Sequence, residues 1–260
     1  MGYKIGIIGT GNVAWHLARN FENNGHIIST IYSRNLDRAK EFALDYFNAT
    51  FTNKHDLRKS EASVFIMAIS DDAIEEIAGE IRLPTNAHLF HTSGTKPLKS
   101  LGYAHTNNIG VLYPLQTFSK GKKTDMNRIP FCIEAETDES RQVLKQLASS
   151  ISQQVHEINS QQRAVIHLSA VIACNFSNHM MSIAKGVLKS NDLSFDLIKP
   201  LIAETINKAL DIGPEAAQTG PARRKDLKTL DKQLTALQND ESVAKIYEII
   251  SQHILDYYPE

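Results

Sequence analysis

The chain has very little cysteine: Cys132 and Cys174 are the only two in 260 residues. Two thiols this far apart in sequence provide neither a disulfide framework nor the paired spacing of a zinc site. We therefore expect both to be reduced and mostly buried, in a cytoplasmic protein that binds no metal ion.

The chain also lacks an excess of charge of either sign, with 28 basic and 29 acidic side chains and a formal net charge of -1. The densest basic cluster of its first half, Lys120, Lys122 and Lys123, is typical of a solvated loop. Nucleic acid and anionic membranes are therefore not expected as partners. The longest apolar runs, such as residues 64–69, are too short to cross a bilayer, and we expect no secretion signal.

A glycine-rich turn near the N-terminus is the most informative feature that the chain does have. Residues 5–8 are an apolar run, followed by Gly-x-Gly-x-x-Ala and then by helical spacing. Gly9 permits a tight turn, Gly11 lets the backbone approach a pyrophosphate, and Ala14 lets the helix pack on its strand. The N–H groups and dipole at the helix start then face the anion. The predicted dinucleotide contacts in this turn are Gly9, Thr10, Gly11, Asn12 and Val13.

Strand-like and helix-like segments alternate through the first part of the chain, which predicts an α/β fold with a doubly wound, Rossmann-type sheet. The predicted strands after the first are residues 26–33, 62–70, 87–92, 110–113, 131–135 and 154–158; the predicted helices include 36–47, 73–81 and one that Thr137 caps and that ends at 151. From residue 160 the strand pattern stops and helix-compatible segments follow. We predict a nucleotide-binding domain over 1–159 and an all-helical domain over 160–260.

The end of the second strand indicates which nicotinamide nucleotide fits. An NAD site usually has Asp or Glu at this position, where it binds the ribose hydroxyls. Here the residues are Ser33 and Arg34, which can donate to a 2′-phosphate and pair with it. The alternative is that Arg34 is a solvated residue, and Asp37 is close in sequence. The pattern favours NADP over NAD.

The later strand ends should meet at one edge of the sheet, where open α/β sheets bind ligands. Asp71 and Asp72 are expected to cap the helix that follows the first of these strands. The candidate cofactor contacts are Ala68, Ile69, Ser70 and Thr92, and the candidate substrate contacts are His91, Ser93 and Tyr113. The alternative for His91 is a structural role. Tyr113 could be a proton donor, and its alternative is a packing role.

Residues 160–189 are compatible with one helix of about 45 Å at 1.5 Å per residue. At 100° per residue, His167, Asn175, Asn178 and Ser182 share one arc of an otherwise apolar helix. If this arc lines a cleft, His167 is the general acid and Asn175 orients the substrate. If it faces water or an interface, these side chains are structural or solvated.

A break at residues 217–226 gathers hydrogen-bond donors between two predicted helices. Thr219 and the N–H groups after it could hold a carboxylate, with which Arg223 or Arg224 would pair. The alternative is a turn between helices that Asp226 caps.

These motifs together resemble the Rossmann-like NADP-binding proteins related to deazaflavin-dependent NADP oxidoreductases, pyrroline-carboxylate reductases and 6-phosphogluconate dehydrogenase-like enzymes. The subgroup that the chain resembles most has a C-terminal all-helical domain of unknown function. The motifs that carry the resemblance are residues 9–14, 91–94, 114–118, the helix with His167, Asn175 and Phe176, and residues 219–221 with Arg224 and Asp226. The chain departs from the family at Tyr113, where the resemblance leads us to expect histidine. The resemblance implies an NADP-binding domain and a helical domain that often pairs two subunits.

We therefore predict an NADP(H)-dependent oxidoreductase that transfers a hydride to or from a small carbonyl, imine or hydroxy-acid substrate. The substrate would lie between the sheet and the helical domain, and a homodimer would form through that domain. His167 is the predicted acid or base, Asn175 and Ser93 orient the substrate, and Arg223 or Arg224 holds an anionic group. The alternatives are a non-catalytic NADP-binding sensor or scaffold and, by resemblance alone, a deazaflavin-using enzyme.

Overall fold

A computed structural model describes residues 2–258, and among them eight strands form one sheet. The strands are β1 (Lys4–Ile8), β2 (Ile27–Tyr32), β3 (Thr50–Thr52), β4 (Val64–Met67), β5 (His88–His91), β6 (Ile109–Pro114), β7 (Phe131–Ala135) and β8 (Val155–Glu157). Their spatial order is β3-β2-β1-β4-β5-β6-β7-β8. The first six strands are parallel and have the order of a dinucleotide-binding sheet. The predicted doubly wound, Rossmann-type fold is confirmed.

Helices connect the strands and then make up the rest of the chain. They are α1 (Asn12–Asn23), α2 (Leu36–Ala43), α3 (Ile74–Glu80), α4 (Asp138–Ile151), α5 (Ser160–Ala170), α6 (Ser177–Lys189), α7 (Lys199–Ile212), α8 (Pro214–Ala217), α9 (Leu227–Ala236) and α10 (Glu241–Tyr257). The segment after the last strand is helical in its described part, as predicted.

The central strand β4 has apolar cores on both faces of the sheet. Val64 and Ile66 belong to one buried cluster, and Phe65 and Met67 belong to the other. Because side chains alternate between the two faces of a strand, a continuous apolar run is what a strand covered on both faces requires. This explains why residues 62–70 contain no alternating pattern.

The sheet has two features that the sequence pattern did not predict. The short edge strand β3 pairs with β2. Strand β7 pairs with β6 in antiparallel orientation, and β8 then continues parallel to β7. The connection between β6 and β7 contains only a short 3-10 turn at Met126–Arg128 rather than a crossover helix. An antiparallel pair needs no crossover helix.

Asp71 and Asp72 do not cap a helix as predicted, because Asp71–Ala73 forms a 3-10 turn. Helix α3 begins after Ala73, and no side chain in the described residues caps it. The Asp71 carboxylate instead accepts a hydrogen bond from the Thr95 hydroxyl, so it joins the loops that follow β4 and β5. By contrast, Thr137 and Asp226 accept hydrogen bonds from the first turns of α4 and α9, as capping residues do.

The long helix expected over residues 160–189 is present but is interrupted by a π-helical segment, Val171–Phe176. A π-helix forms hydrogen bonds five residues apart, so each residue turns the chain by less than 100°. The uniform 100° per residue behind the predicted arc does not hold across this segment, and the arc of four polar side chains stays a prediction. Among the predicted buried thiols, Cys132 is buried but Cys174, within the π segment, is exposed.

The chain divides into two compact units at the Val171–Ile172 junction. The predicted domain boundary, at residue 159, coincides with the N-cap of α5, where the Asn159 side chain accepts a hydrogen bond from the Gln162 N–H. In residues 2–258, none of the helices is long and apolar enough to cross a membrane.

Candidate functional site

The glycine turn after β1 has the geometry of a phosphate-binding loop. Gly9 has a φ of 111°, and a Cβ atom at this residue would lie 2.2 Å from the Ala68 carbonyl oxygen. Its N–H donates to the Tyr32 carbonyl at 2.8 Å, which ties the turn to the end of β2. At Gly11, an added Cβ would have no heavy atom of the described residues within 4 Å. Gly9 is therefore needed for the turn itself, whereas Gly11 leaves open space beside the backbone.

The open space at Gly11 lies at the N-terminus of α1. Gly11 is the N-cap of this helix, and the first turn of the described helix contains no acidic residue. The unpaired N–H groups and positive dipole of a helix start attract anions. A pyrophosphate fits this loop, because Gly11 has no Cβ and so leaves free the space that the anion would fill.

The turn opens into a cleft of about 540 Å³ at the carboxyl ends of β1, β2, β4 and β5. The chain order reverses between β1 and β4, and this switch point is where sheets of this kind bind nucleotides. All the residues predicted to contact the cofactor line the cleft: Gly9, Thr10, Gly11, Asn12, Val13, Ser33, Arg34, Ala68, Ile69, Ser70 and Thr92. The cleft volume lies within the range of ordinary ligand sites.

The end of the cleft beside β2 is basic. Ser33 and Arg34 line it together with Asn35 and Arg38, and no acidic side chain of the described residues is among the lining groups. The Asn35 side chain accepts a hydrogen bond from the Arg38 N–H at 3.0 Å and caps α2. This cap begins the helix at the cleft and brings Arg38 to the same end as Arg34. Asp37 does not line the cleft.

A second polar cluster lies at the carboxyl end of β6. The Tyr113 hydroxyl is 2.9 Å from His167 Nδ1, and the two rings meet edge to face. Gly94, in the loop after β5, packs against both, since an added Cβ would lie 2.5 Å from His167 Nδ1. Burial raises the pKa of Tyr113 to about 12, so the phenol holds its proton at neutral pH. The structure thus brings together Tyr113 and His167, which the sequence analysis assigned to two different parts of the site.

His91 and Ser93 make hydrogen bonds within the loop after β5, which packs against the Tyr113–His167 pair. His91 is completely buried, and its Nδ1 accepts a hydrogen bond from the Ser93 N–H at 3.1 Å. Burial lowers the pKa of His91 to about 3, and the Arg163 charge adds to this, so the ring is neutral near pH 7. The Ser93 hydroxyl accepts from the N–H groups of Thr95 and Lys96 at 3.1 and 3.0 Å. The Ser93 hydroxyl also lies 3.3 Å from the Thr95 hydroxyl oxygen. The predicted substrate contacts of His91 and Ser93 stay predictions.

The remaining predicted site residues lie in the second compact unit. Asn175 is exposed within the π segment. Thr219 borders a small pocket of about 220 Å³ within that unit, and Gly220 beside it has a φ of 108°. The Arg223 guanidinium lies 5.0 Å from the centre of the Tyr258 ring, and Arg224 is exposed. Their predicted roles stay predictions.

Three residues of this region were missed by the sequence analysis. Arg38 and Phe118 line the cleft, and Arg163 lies one helical turn before His167. The place of Arg38 could have been predicted from the sequence, because it lies three positions after the capping residue Asn35. The places of the other two depend on tertiary contacts. The described residues contain no group of His, Cys, Asp and Glu side chains able to hold a metal ion.

Comparison with known proteins identifies both parts of the chain. Residues 4–89 match the family model described as NADP oxidoreductase coenzyme F420-dependent, and residues 129–254 match a domain of unknown function, DUF2520. No curated protein matches the chain.

Solved structures agree with these matches. A "putative NADP oxidoreductase" from Bacteroides fragilis is 36% identical, with 98% of each chain covered and a TM-score of 0.87. A reductive aminase from Aspergillus terreus, in complex with NADPH and ethyl levulinate, is 13% identical, with 100% of each chain covered and a TM-score of 0.69. A prephenate dehydrogenase from A. aeolicus, in complex with NAD+, is 12% identical, with 98% of each chain covered and a TM-score of 0.59. The last two show the shared fold alone.

The fold, the nucleotide cleft and the relative from Bacteroides fragilis agree on one assignment. The chain belongs to the family of NADP oxidoreductases that carry the F420-dependent type of N-terminal domain and the DUF2520 domain.

Proposed function

We propose that the protein is an NADPH-dependent reductase of a small carbonyl or imine compound, and that Tyr113 supplies the proton. The observation that carries this proposal is the Tyr113–His167 hydrogen bond of 2.9 Å at the carboxyl end of β6. This strand pairs with β5, whose end contributes Thr92 to the nucleotide cleft. A proton donor would therefore stand beside the nucleotide site at the same edge of the sheet.

The preference for NADP over NAD is supported by the charge of the cleft. Arg34 and Arg38 line the end where the adenosine ribose would lie, and an acidic side chain that would bind the 2′-hydroxyl is lacking there among residues 2–258. Two guanidinium groups would form charge-assisted hydrogen bonds to a 2′-phosphate, whereas a free 2′-hydroxyl carries no charge for them to pair with. The reductive aminase with the same fold was solved with NADPH.

The residues around Tyr113 are suited to deliver one proton. When bound, the reduced nicotinamide supplies a hydride to the substrate carbon. His167, protonated on Nδ1, would donate to the Tyr113 hydroxyl oxygen and leave the phenol proton for the substrate oxygen or nitrogen. After transfer, Tyr113 would regain a proton from His167 Nδ1 while solvent supplies a proton to Nε2 of the same ring, which is only half-buried; the ring stays neutral. The buried phenol remains protonated until that moment, as a general acid must.

Two measurements test the proposal. Fluorescence titration should give at least tenfold tighter binding of NADPH than of NADH, and no binding of either at millimolar concentration would refute the cofactor assignment. A panel of ketones, imines and deazaflavin acceptors, followed by NADPH absorbance, should yield turnover. That turnover should fall about 100-fold or more in Tyr113→Phe. Tyr103→Phe is the matched control, since Tyr103 is 74% exposed.

Two outcomes of the panel would favour other functions. Tight NADPH binding with no turnover of any compound would favour the sensor or scaffold. Turnover of the deazaflavin acceptor alone would favour the enzyme type that gives the family model its name, although that model matches only residues 4–89.

We also propose that the protein forms a homodimer through its helical unit. Of the described residues after 171, only Ala222 and Leu230 are buried apolar side chains. Helices α6, α7 and α10 contain no buried residue within their described ranges. Leu201 and Leu210 on α7 are 66% and 81% exposed. Apolar surface of this extent is typical of an obligate interface, and sedimentation of a monomer alone at micromolar concentration would refute the proposal.

A further inference from the structure

A completely buried arginine lies beneath the Tyr113–His167 pair. The Arg163 side chain is 1% exposed, and its Nη1 donates to Glu134 Oε2 at 2.5 Å. Its Nη2 donates to the Lys96 carbonyl oxygen at 2.7 Å and to the Ser160 hydroxyl at 3.2 Å. One guanidinium therefore contacts three separate segments of the chain.

Those three segments surround the candidate proton donors: α5 carries His167, β7 pairs with the strand of Tyr113, and the loop after β5 packs against both side chains. Glu134 is on β7, which pairs with β6 and holds Cys132 opposite Tyr113. Lys96 ends the loop that begins with Ser93 and Gly94. Arg163 itself is on α5, four residues before His167, and side chains four residues apart lie on the same helix face.

The network around Glu134 is closed on the helix side as well. Glu134 accepts hydrogen bonds from the Ser160 N–H at 3.0 Å and from the Ser160 hydroxyl at 2.7 Å. The Ser160 hydroxyl oxygen accepts in turn from the Leu98 N–H at 2.9 Å. The first turn of α5 is therefore joined by hydrogen bonds both to β7 and to the loop after β5.

A buried ion pair is weak evidence for a role in stability, because well-packed apolar side chains often replace one without loss. A buried pair is better suited to fixing one geometry among several. The planar fork of arginine suits this task, because it holds two acceptors at defined angles, which lysine cannot do.

We propose that Arg163, paired with Glu134, is the positioning residue for the Tyr113–His167 pair. The fork sets the rotation of α5 against β6 and β7, and this rotation brings His167 Nδ1 to the Tyr113 hydroxyl. The inference rests on the proposed function only for its catalytic meaning; the contact itself exists in the ligand-free protein. The Arg163 charge also acts on Tyr113 directly, because the guanidinium opposes the rise that burial causes in the pKa of Tyr113.

The test uses the ligand-free full-length protein, labelled with 15N-histidine. Long-range proton–nitrogen spectra report the hydrogen bond at His167 Nδ1, with His167→Gln for assignment. Tyr113→Phe defines the signature of the broken bond. We expect Arg163→Met and Arg163→Lys to move the His167 signal toward that signature, because lysine keeps the charge but loses the fork.

The matched control is Arg141→Met on α4, which removes an arginine from partly exposed ion pairs with Asp138 and with Glu157 of β8. It should leave the His167 signal unchanged. If Arg163→Met does not fold, Arg163→Lys decides. A wild-type His167 signal in a folded Arg163 variant would overturn the proposal, even if that variant unfolds at lower temperature, since this would mean a structural anchor only.

Kinetics provide the second readout once a substrate is found. Arg163→Lys should lower kcat about tenfold or more and should change the NADPH dissociation constant less than twofold, because Arg163 does not line the cleft. Failure of the proposed function would be evident separately, as absent NADPH binding or turnover in the wild-type protein, while the His167 spectra would still decide the role of Arg163.

Discussion

Two neighbouring glycines allow the turn to be tested apart from the nucleotide that it would hold. In Gly9→Ala, the new methyl group would lie 2.2 Å from the Ala68 carbonyl oxygen at a φ of 111°. Positive φ costs a residue with a side chain about 1–2 kcal/mol, and overpacking adds about 1–3 kcal/mol. We therefore expect a loss of about 3 kcal/mol, or about 10 °C in Tm at about 2–4 °C per kcal/mol.

Gly11→Ala should have the opposite profile. Its φ of -78° is allowed for alanine, and the methyl group would meet no described heavy atom within 4 Å. The free energy of unfolding should change by less than about 1 kcal/mol. The methyl group would stand in the cradle and remove at least one charge-assisted hydrogen bond, worth about 1.5–3 kcal/mol, so NADPH binding should weaken about 10- to 100-fold.

The assay measures Tm by calorimetry and the NADPH dissociation constant by fluorescence for both variants. Gly186→Ala is the control, because it adds a methyl group in open space on α6, away from the turn. Wild-type affinity in a stable Gly11→Ala protein would refute the claim that a pyrophosphate approaches this backbone. An unchanged Tm in Gly9→Ala would refute the claim that the turn requires glycine.

Three further predictions follow from other parts of the structure. The pKa of His91 is lowered to about 3, so its stabilising effect is complete above pH 6.5 and is lost as the pH falls toward 3. Between pH 7 and pH 5, wild-type protein should lose about 2 kcal/mol more than His91→Gln, and parallel urea-unfolding profiles would contradict this. Arg34→Ala and Arg38→Ala should each reduce the NADPH-over-NADH preference about tenfold or more, measured by titration, and an unchanged ratio in both would place the 2′-phosphate elsewhere. Leu201→Glu should convert the proposed dimer to a monomer in sedimentation, and a persistent dimer would exclude that face of α7.

The sequence was most informative where a local pattern determines the structure. The glycine turn, the apolar run of β4 and the end of β2 at Ser33 and Arg34 depend on neighbours a few residues away. They are therefore visible in the sequence as motifs and periodicity. These local signals predicted the doubly wound fold and most of the residues that line the nucleotide cleft, but not β3, the antiparallel direction of β7 or the place of Arg38 in the cleft.

Contacts between distant residues were not predictable in this way. Tyr113 and His167 are 54 positions apart, and their contact depends on how α5 packs against β6. In the sequence, Arg163 is typical of a surface residue. Its burial depends on the ion pair with Glu134, which is distant in sequence and lies on β7. Asp71 matched a capping pattern, but the Thr95 hydroxyl competes for its carboxylate.

The π segment at Val171–Phe176 has a consequence for how the chain tolerates length changes. Such a segment accommodates an extra residue within an otherwise α-helical rod. Deleting one residue there would allow the rod to become uniformly α-helical, with no break in the backbone hydrogen bonds. The deletion would then preserve both helicity and the rotational register of the residues that follow, because the π segment turns the chain by about one α-helical residue less than its length. Single-residue deletions in this short stretch should therefore be far better tolerated than single-residue deletions within the α-helical stretches on either side of it, which would rotate the side chains that follow by about 100°.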